Sequence, residues 1–303
     1  MDELQKLIYG ERFKTAFHSK GGTEFQDWFV KIAGFAYGPD FEEVRPYGNK
    51  GDFKCDGRKI STGSIFQCYA PHILKDVDTI EKVKADFKGA LSHWGASMKQ
   101  WIFVHNDSRG LPATVVQCLD QLRNTHKNIV IETWSEPEIR ELVMGLSLNQ
   151  LQDLFGLAPS LPVFNQIGFE ELKPVVDAIA QKEPDPASSP LTPPSPEKLE
   201  KNDLSPDAAG LLKVGRRKER LVEDFFGKTI HPDLGEKIAE AFRNRYLELK
   251  TMELTSDRIF GYLQDFAGMT GEPKQQGAAL AVLSYFFERC DIFEDPNIEA
   301  VTG

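Results

Sequence analysis

The chain has 303 residues, a net charge of −10, and ordinary fractions of hydrophobic (41%) and charged (27%) residues, which indicates a globular protein of about two domains. No apolar run approaches the ~20 residues of a membrane-spanning helix, and the N-terminal segment lacks the features of a signal peptide. The four cysteines are widely separated, so we expect reduced thiols in a cytoplasmic protein with no membrane partner. Residues 1–156 carry 19 basic against 21 acidic residues, so this half can still present a basic groove to phosphate groups.

The first half of the chain alternates helices with short strands. An apolar stripe at helical spacing, including Phe25, Trp28 and Phe29, predicts a helix over residues 24–35. Three strand-like runs follow: FEEVRPYG, GDFKCDG and SIFQCYA. After them come a helix over roughly 76–98, the strand WIFVHN, a helix, the strand NIVIETW, and helical turns to residue 156. This order predicts an α/β fold, a mixed sheet flanked by helices with some parallel pairing.

The second half begins with a change of composition near residue 182. The segment EPDPASSPLTPPSPEK holds six prolines and three serines in sixteen residues, which predicts a stiff, extended linker. Every later pattern is helical, which predicts a separate all-helical C-terminal domain with an acidic excess, suited to assembly with other proteins. The predicted parts are therefore an α/β domain (1–158), a connecting helical segment (159–181), the linker (182–203) and the all-helical domain (204–303).

Polar residues crowd two neighbouring strands of the predicted sheet. Cleaving a phosphodiester with Mg²⁺ requires carboxylate and amide oxygens around the cation. Asp56 ends one strand, while Gln67 and Tyr69 alternate on one face of the next, so all three can point into one pocket. Asp52 and Lys54 share the side of Asp56 if their strand is regular. Ordinary turn formation at Asp52 and Asp56, and a backbone-bonded amide at Gln67, are the competing explanations.

The pattern GD-x3-DG followed by Q-x-[KY], after a helix with an acidic or amide residue, resembles the PD-(D/E)XK superfamily in its Mrr-like restriction-endonuclease branch. The longer run EFQDWF, VRPYGNKGDFKCDG, FQCYAP, WIFVHN and SYFFERCDIFE resembles the nuclease-like effector subunit of bacterial ABC-three-component systems, related to Lamassu-type antiphage defence. This resemblance covers most of both domains. It implies a restriction-endonuclease-like sheet and a DNA endonuclease that uses Mg²⁺ (or Mn²⁺) in an antiphage or anti-plasmid complex.

The same resemblance implies partners and regulation. The substrate would be double-stranded DNA, and the other subunits would be an SMC-like ABC ATPase and a small middle component. The nuclease would stay inactive until the ATPase senses foreign DNA, and we expect it to self-associate on activation. A catalytically inactive DNA-binding or scaffold subunit of the same kind of complex is the alternative, and an RNA-directed nuclease is a more distant one.

Carried onto this sequence, the resemblance gives Asp56 the role of the metal-binding aspartate and Gln67 the (D/E) position, which is often Gln in the Mrr-like branch. The helix residue that completes the metal shell would be Glu24 or Gln26. Both flank the apolar stripe, so geometry leaves the choice open; Glu24 is favoured because a carboxylate binds Mg²⁺ better than an amide does.

The departure from the superfamily pattern is Tyr69, which stands where a lysine is usual. A phenol with a pKa near 10 cannot replace an ammonium group as a cation. Lys54 could supply the charge from the neighbouring strand, and Lys50 is a poorer candidate in the preceding turn. If neither does, the fold binds DNA without cutting it. His72 and His105 are secondary candidates near the proposed pocket.

Overall fold

The computed structural model describes residues 1–44, 53–71, 73–182, 202–231 and 233–289. The chain forms two compact units: a sheet unit, Phe13–Leu154, and a helical unit that combines Met1–Arg12 with Phe155–Gly303. The candidate residues Asp52, Lys50 and His72 lie outside the described residues, as does most of the predicted linker, residues 183–201.

A five-stranded mixed sheet runs through the sheet unit. Its strands, in spatial and chain order, are β1 (Phe41–Glu43), β2 (Gly57–Lys59), β3 (Ser64–Tyr69), β4 (Gln100–His105) and β5 (Val130–Trp134). The first two pairings are antiparallel and the last two are parallel. The predicted α/β fold with a mixed sheet and partly parallel pairing is thereby confirmed.

The strand predicted through GDFKCDG needs correction. Within the described part of that segment, extended pairing begins only at Gly57. Phe53 and Lys54 have φ angles of 55° and 58°, in the left-handed region that no strand residue occupies. Strand alternation therefore does not decide the direction of the Lys54 side chain.

Helices cover both faces of the sheet. Phe66 packs on Phe29 of helix α2 (Gly22–Tyr37), with ring centroids 5.6 Å apart, and on Trp134 at 5.3 Å. On the opposite face, Ile65 belongs to a buried cluster with Phe87 of helix α3 (Asp76–Trp94). The helices of this half are α1 (Glu3–Ser19), α2 (Gly22–Tyr37), α3 (Asp76–Trp94), α4 (Ala113–Thr125), α5 (Glu136–Met144) and α6 (Leu148–Phe155), with a 3₁₀ turn at Gly38–Asp40.

The helical unit is organised around its last described helix. Its helices are α7 (Leu161–Asn165), α8 (Phe169–Ala180), α9 (Pro206–Gly215), α10 (Glu219–Lys228), α11 (Leu234–Lys250), α12 (Ser256–Ala267) and α13 (Pro273–Arg289), with a 3₁₀ turn at Arg216–Lys218. Every residue of α13 from 276 to 288 is buried, as expected for a helix surrounded by others. Helix α9 approaches it closely: a Cβ on Gly215 would lie 2.0 Å from the Ser284 Oγ atom.

We expect Gly215→Ala to lower the free energy of unfolding of the helical unit by about 1–3 kcal/mol, because the added methyl group must displace Ser284 or the α13 backbone. Gly227→Ala in α10 is the matched control, since no described atom lies within 4 Å of its Cβ position. That change should be neutral or stabilise by up to ~1 kcal/mol, because alanine favours a helix over glycine. Urea unfolding followed by circular dichroism measures both. Equal effects of the two variants would contradict the close α9–α13 packing.

Candidate active site

Asp56 lies directly before β2, where that strand leaves its neighbour β3. Its backbone N–H donates to the Phe66 carbonyl at 2.9 Å. Its carboxylate Oδ2 accepts hydrogen bonds from the Cys68 backbone N–H at 2.6 Å and from Gln67 Nε2 at 3.0 Å. The side chain is only 1% exposed. The structure thus brings together the two residues, Asp56 and Gln67, that the sequence pattern assigned to one site.

The Gln67 amide is half satisfied. Its nitrogen is bound to Asp56, while its oxygen, Oε1, is buried and has no hydrogen-bond partner among the described residues. A buried carbonyl without a partner costs about 1–3 kcal/mol, so such an atom needs an explanation. Carboxylate and amide oxygens are the donors that Mg²⁺ prefers. On donor chemistry, the Asp56–Gln67 pair therefore fits a divalent cation.

A cavity of about 1110 Å³ opens beside Asp56. Residues from one face of α2, at helical spacing, form one wall, and β1 forms another. The polar residues that line it are Thr23, Gln26, Asp27, Lys31, Glu43 and Asp56. Within the described ranges, no three His, Cys, Asp or Glu side chains come close enough to hold a metal ion by themselves. Water or amide oxygens would have to complete the coordination of a cation at Asp56.

The two helix candidates differ in their surroundings. Glu24 is exposed and pairs with Lys20, with 2.5 Å between Nζ and Oε1, whereas Gln26 lines the cavity together with Asp56. The placement therefore favours Gln26 over Glu24 as a helix ligand, although the chemistry of Mg²⁺ had favoured Glu24.

Sequence reasoning missed two carboxylates of the cavity. Asp27 follows Gln26 on α2, and its position four residues before Lys31 marks the cavity-lining face of the helix. Glu43 pairs in register with Gly57, the residue after Asp56. The α2 periodicity could have identified Asp27, but Glu43 required the pairing of β1 with β2.

Lys54 has a carboxylate partner on α3. Its ammonium Nζ lies 3.1 Å from Asp86 Oδ1, and the Lys82 ammonium lies 2.6 Å from Asp86 Oδ2. Asp86 is fully buried, whereas the two lysine side chains are 44% and 33% exposed. The idea that Lys54 replaces the lysine of the superfamily motif stays a prediction.

Tyr69 is partly buried on the face of β3 that also carries Gln67. Its ring lies 6.0 Å from that of Phe103, and it pairs in register with His105. His105 is buried, and its Nδ1 has no hydrogen-bond partner in the described part of the chain. Burial lowers the pKa of His105, while the nearby carboxylates of Asp107 and Glu138 oppose that shift.

The thiols near the site are reduced and buried. Cys55, Cys68 and Cys118 are buried and form no disulfide among the described residues. Burial, with the Asp56 carboxylate as the next contribution, raises the pKa of the Cys68 thiol well above its usual value. Burial therefore favours the protonated form of the Cys68 thiol beside Asp56.

Comparison with known proteins finds a similarity in the C-terminal part of the chain. Residues 170–294 match the family model for C-terminal domain 10 of the ABC-three component (ABC-3C) systems. This match supports membership of such a system, and with it the presence of partner subunits. The match does not extend to the candidate site. No curated protein and no solved structure matched the chain. Within the described residues, no helix has the length and hydropathy needed to cross a membrane.

The buried His105 predicts a pH dependence of stability. Because its pKa in the folded protein lies below the ordinary value of 6.5, the unfolded chain binds the proton more readily. The contribution of neutral, buried His105 to the stability of the fold is therefore complete above about pH 6.5. It is lost progressively as the pH falls below that value. We expect wild-type protein to lose more stability between neutral and mildly acidic pH than His105→Gln does.

Urea unfolding across that pH range measures the difference. The exposed His231 provides the control, and His231→Gln should retain the full wild-type dependence. A His105→Gln variant with the same pH dependence as wild type would show that this histidine is not kept neutral by burial.

Proposed function

We propose that the chain is a metal-dependent DNA endonuclease and the effector subunit of an ABC-three-component defence complex. The observation that carries the proposal is the buried Asp56 carboxylate, bonded to a glutamine whose amide oxygen has no partner among the described residues, at the edge of a large cavity. The mixed sheet, with Asp56 before β2 and Gln67 on the adjacent β3, supports the restriction-endonuclease-like fold expected from the sequence.

In this proposal Asp56 and Gln67 hold Mg²⁺ or Mn²⁺, and Gln26 of α2 lines the same cavity as Asp56. The bound cation would neutralise charge on the scissile phosphate and lower the pKa of a water molecule. The chain's own contribution is orientation. The Cys68 backbone N–H and the Gln67 Nε2 both bond to Asp56 Oδ2, which fixes the carboxylate in one direction and holds the Gln67 carbonyl beside it to face a ligand.

The helical unit would carry the interactions with other subunits. Its family match and the acidic excess of the second half of the chain support contacts with protein partners. We propose that these partners are an SMC-like ABC ATPase and a small middle component. They would keep the nuclease inactive in the cytoplasm until foreign double-stranded DNA is sensed, and activation would bring copies of the chain together.

A second candidate function is a catalytically inactive DNA-binding or scaffold subunit of the same kind of complex. Two observations favour this function. Tyr69 stands where a catalytic lysine is usual, and Lys54 is paired with Asp86. In this case the Asp56–Gln67 pair would serve only to hold the start of β2 against β3.

The decisive comparison is Asp56→Ala against wild type. The chain is purified with its neighbouring subunits and supplied with Mg²⁺ or Mn²⁺, and plasmid cleavage is followed over time. We expect Asp56→Ala to reduce cleavage by at least about 100-fold, because the proposed cation loses its carboxylate ligand. Asp78→Ala, an exposed carboxylate of the same unit, should cleave like wild type. Absence of cleavage by wild type under activating conditions would favour the inactive subunit instead.

A second comparison separates the two α2 residues. Gln26 lines the cavity and Glu24 does not share that position. We therefore expect Gln26→Ala to reduce cleavage by about 10–100-fold and Glu24→Ala to leave it near the wild-type rate. A larger loss of cleavage in Glu24→Ala than in Gln26→Ala would instead indicate that Glu24 is the helix ligand.

A further inference from the structure

The stretch from the middle of α3 to the start of β4 has an unusual charge distribution for an acidic protein. From residue 82 to residue 99, every formal charge that reaches solvent is positive, on Lys82, Lys84, Lys88 and Lys99. The single acidic residue of this stretch, Asp86, is 0% exposed. The solvent-facing acids of the helix, Asp76, Asp78 and Glu81, all lie in its first two turns.

Lys54, which lies before β2 and not on α3, adds a further positive charge beside these lysines. Lys54 and Lys82 are both held by the two oxygens of Asp86, at 3.1 and 2.6 Å. One buried anion between two half-exposed ammonium groups leaves a net charge of about +1 at the surface and fixes where both groups lie. The segment reaches α3 at Gly89, where a Cβ would lie 2.5 Å from Lys54 Cγ.

The helix dipole does not account for this arrangement. It favours cations near a helix C-terminus, but the effect is confined to the last turn. Lys82 and Lys84 lie in the middle of α3, and Lys54 does not belong to the helix at all. Burying Asp86 also carries a desolvation cost that a scattered set of surface lysines would not require.

The position of these lysines relates them to the candidate site. Gln67 and Tyr69 project from the face of β3 that α3 covers, because Ile65 on that face packs with Val83 and Phe87 of the helix. Lys54 lies two residues before Asp56. A polymer that contacts the exposed side of α3 therefore lies on the side of the sheet that carries Gln67 and Tyr69, opposite the side that α2 covers.

We infer that Lys54, Lys82, Lys84 and Lys88, here called the α3 cationic surface, bind the phosphodiester backbone of duplex DNA. The inference rests on the proposed function, because it names the surface that holds the substrate. Lysine contacts to phosphates release condensed counterions, so affinity falls with added salt. They carry no base information, so binding at this surface is independent of sequence.

The test measures binding of full-length protein to a short fluorescent duplex DNA in EDTA, by anisotropy, over a series of salt concentrations. EDTA prevents metal-dependent cleavage. The double variant Lys84→Gln/Lys88→Gln should weaken binding by about tenfold and reduce the slope of log K against log salt by about 2, since each phosphate contact contributes about 0.9. Both residues are exposed, and urea unfolding checks that the variant folds.

The control is Lys173→Gln/Lys213→Gln, which removes the same charge from exposed positions of the helical unit and should bind DNA like wild type. An equal loss in both double variants would mean that total charge, not this surface, governs binding, and would overturn the inference. It would equally be overturned if wild type did not bind duplex DNA, or if Lys84→Gln/Lys88→Gln kept the affinity and salt slope. The last result would leave the nuclease proposal intact, because cleavage is tested separately through Asp56→Ala.

Discussion

The double attachment of Asp56 to β3 is the constraint on which the candidate site depends. Its N–H bonds to the Phe66 carbonyl and its carboxylate accepts the Cys68 N–H, so one residue supplies both the donor and the acceptor that a continuing strand would have provided. β2 can therefore begin at Gly57 while the hydrogen-bonding groups of the β3 backbone keep their partners. An unpaired buried group would cost about 1–3 kcal/mol. Phe53 and Lys54 lie outside the sheet and contact α3.

The position of Phe53 and Lys54 outside the sheet explains why one part of the site was predictable and another was not. Hydrophobic alternation has a period of two residues, and it correctly placed Gln67 beside Asp56 because β3 is a regular strand. It failed for Lys54 because Phe53 and Lys54 adopt left-handed backbone angles. Glycine or asparagine usually signals such a turn, and neither residue is of that kind. The turn is specified by the tertiary contacts of Lys54 with Asp86 and Gly89.

Helical periodicity predicted the helix α2 but not which of its polar residues lines the cavity. It identified α2 and its buried stripe, but Glu24 and Gln26 lie symmetrically about that stripe, and only the pairing of β1 with β2 shows which side carries the cavity. The N-terminal helix α1 contributes to a second unit of the chain. Its first residues, such as Leu4 and Ile8, are buried in the same unit as the C-terminal helices, a long-range association that no local pattern encodes.

The overall acidity of the chain is compatible with DNA binding once the charges are considered locally. At ordinary salt, charges separated by more than about 10 Å are largely screened from one another, so a phosphate responds to the lysines beside it and not to a net charge of −10. Burying Asp86 beneath Lys54 and Lys82 removes the one anion of the α3 cationic surface from solvent while using it to position two cations. Under the proposed function, the acidic residues of the helical unit would contact protein partners, because electrostatic complementarity acts separately at each surface.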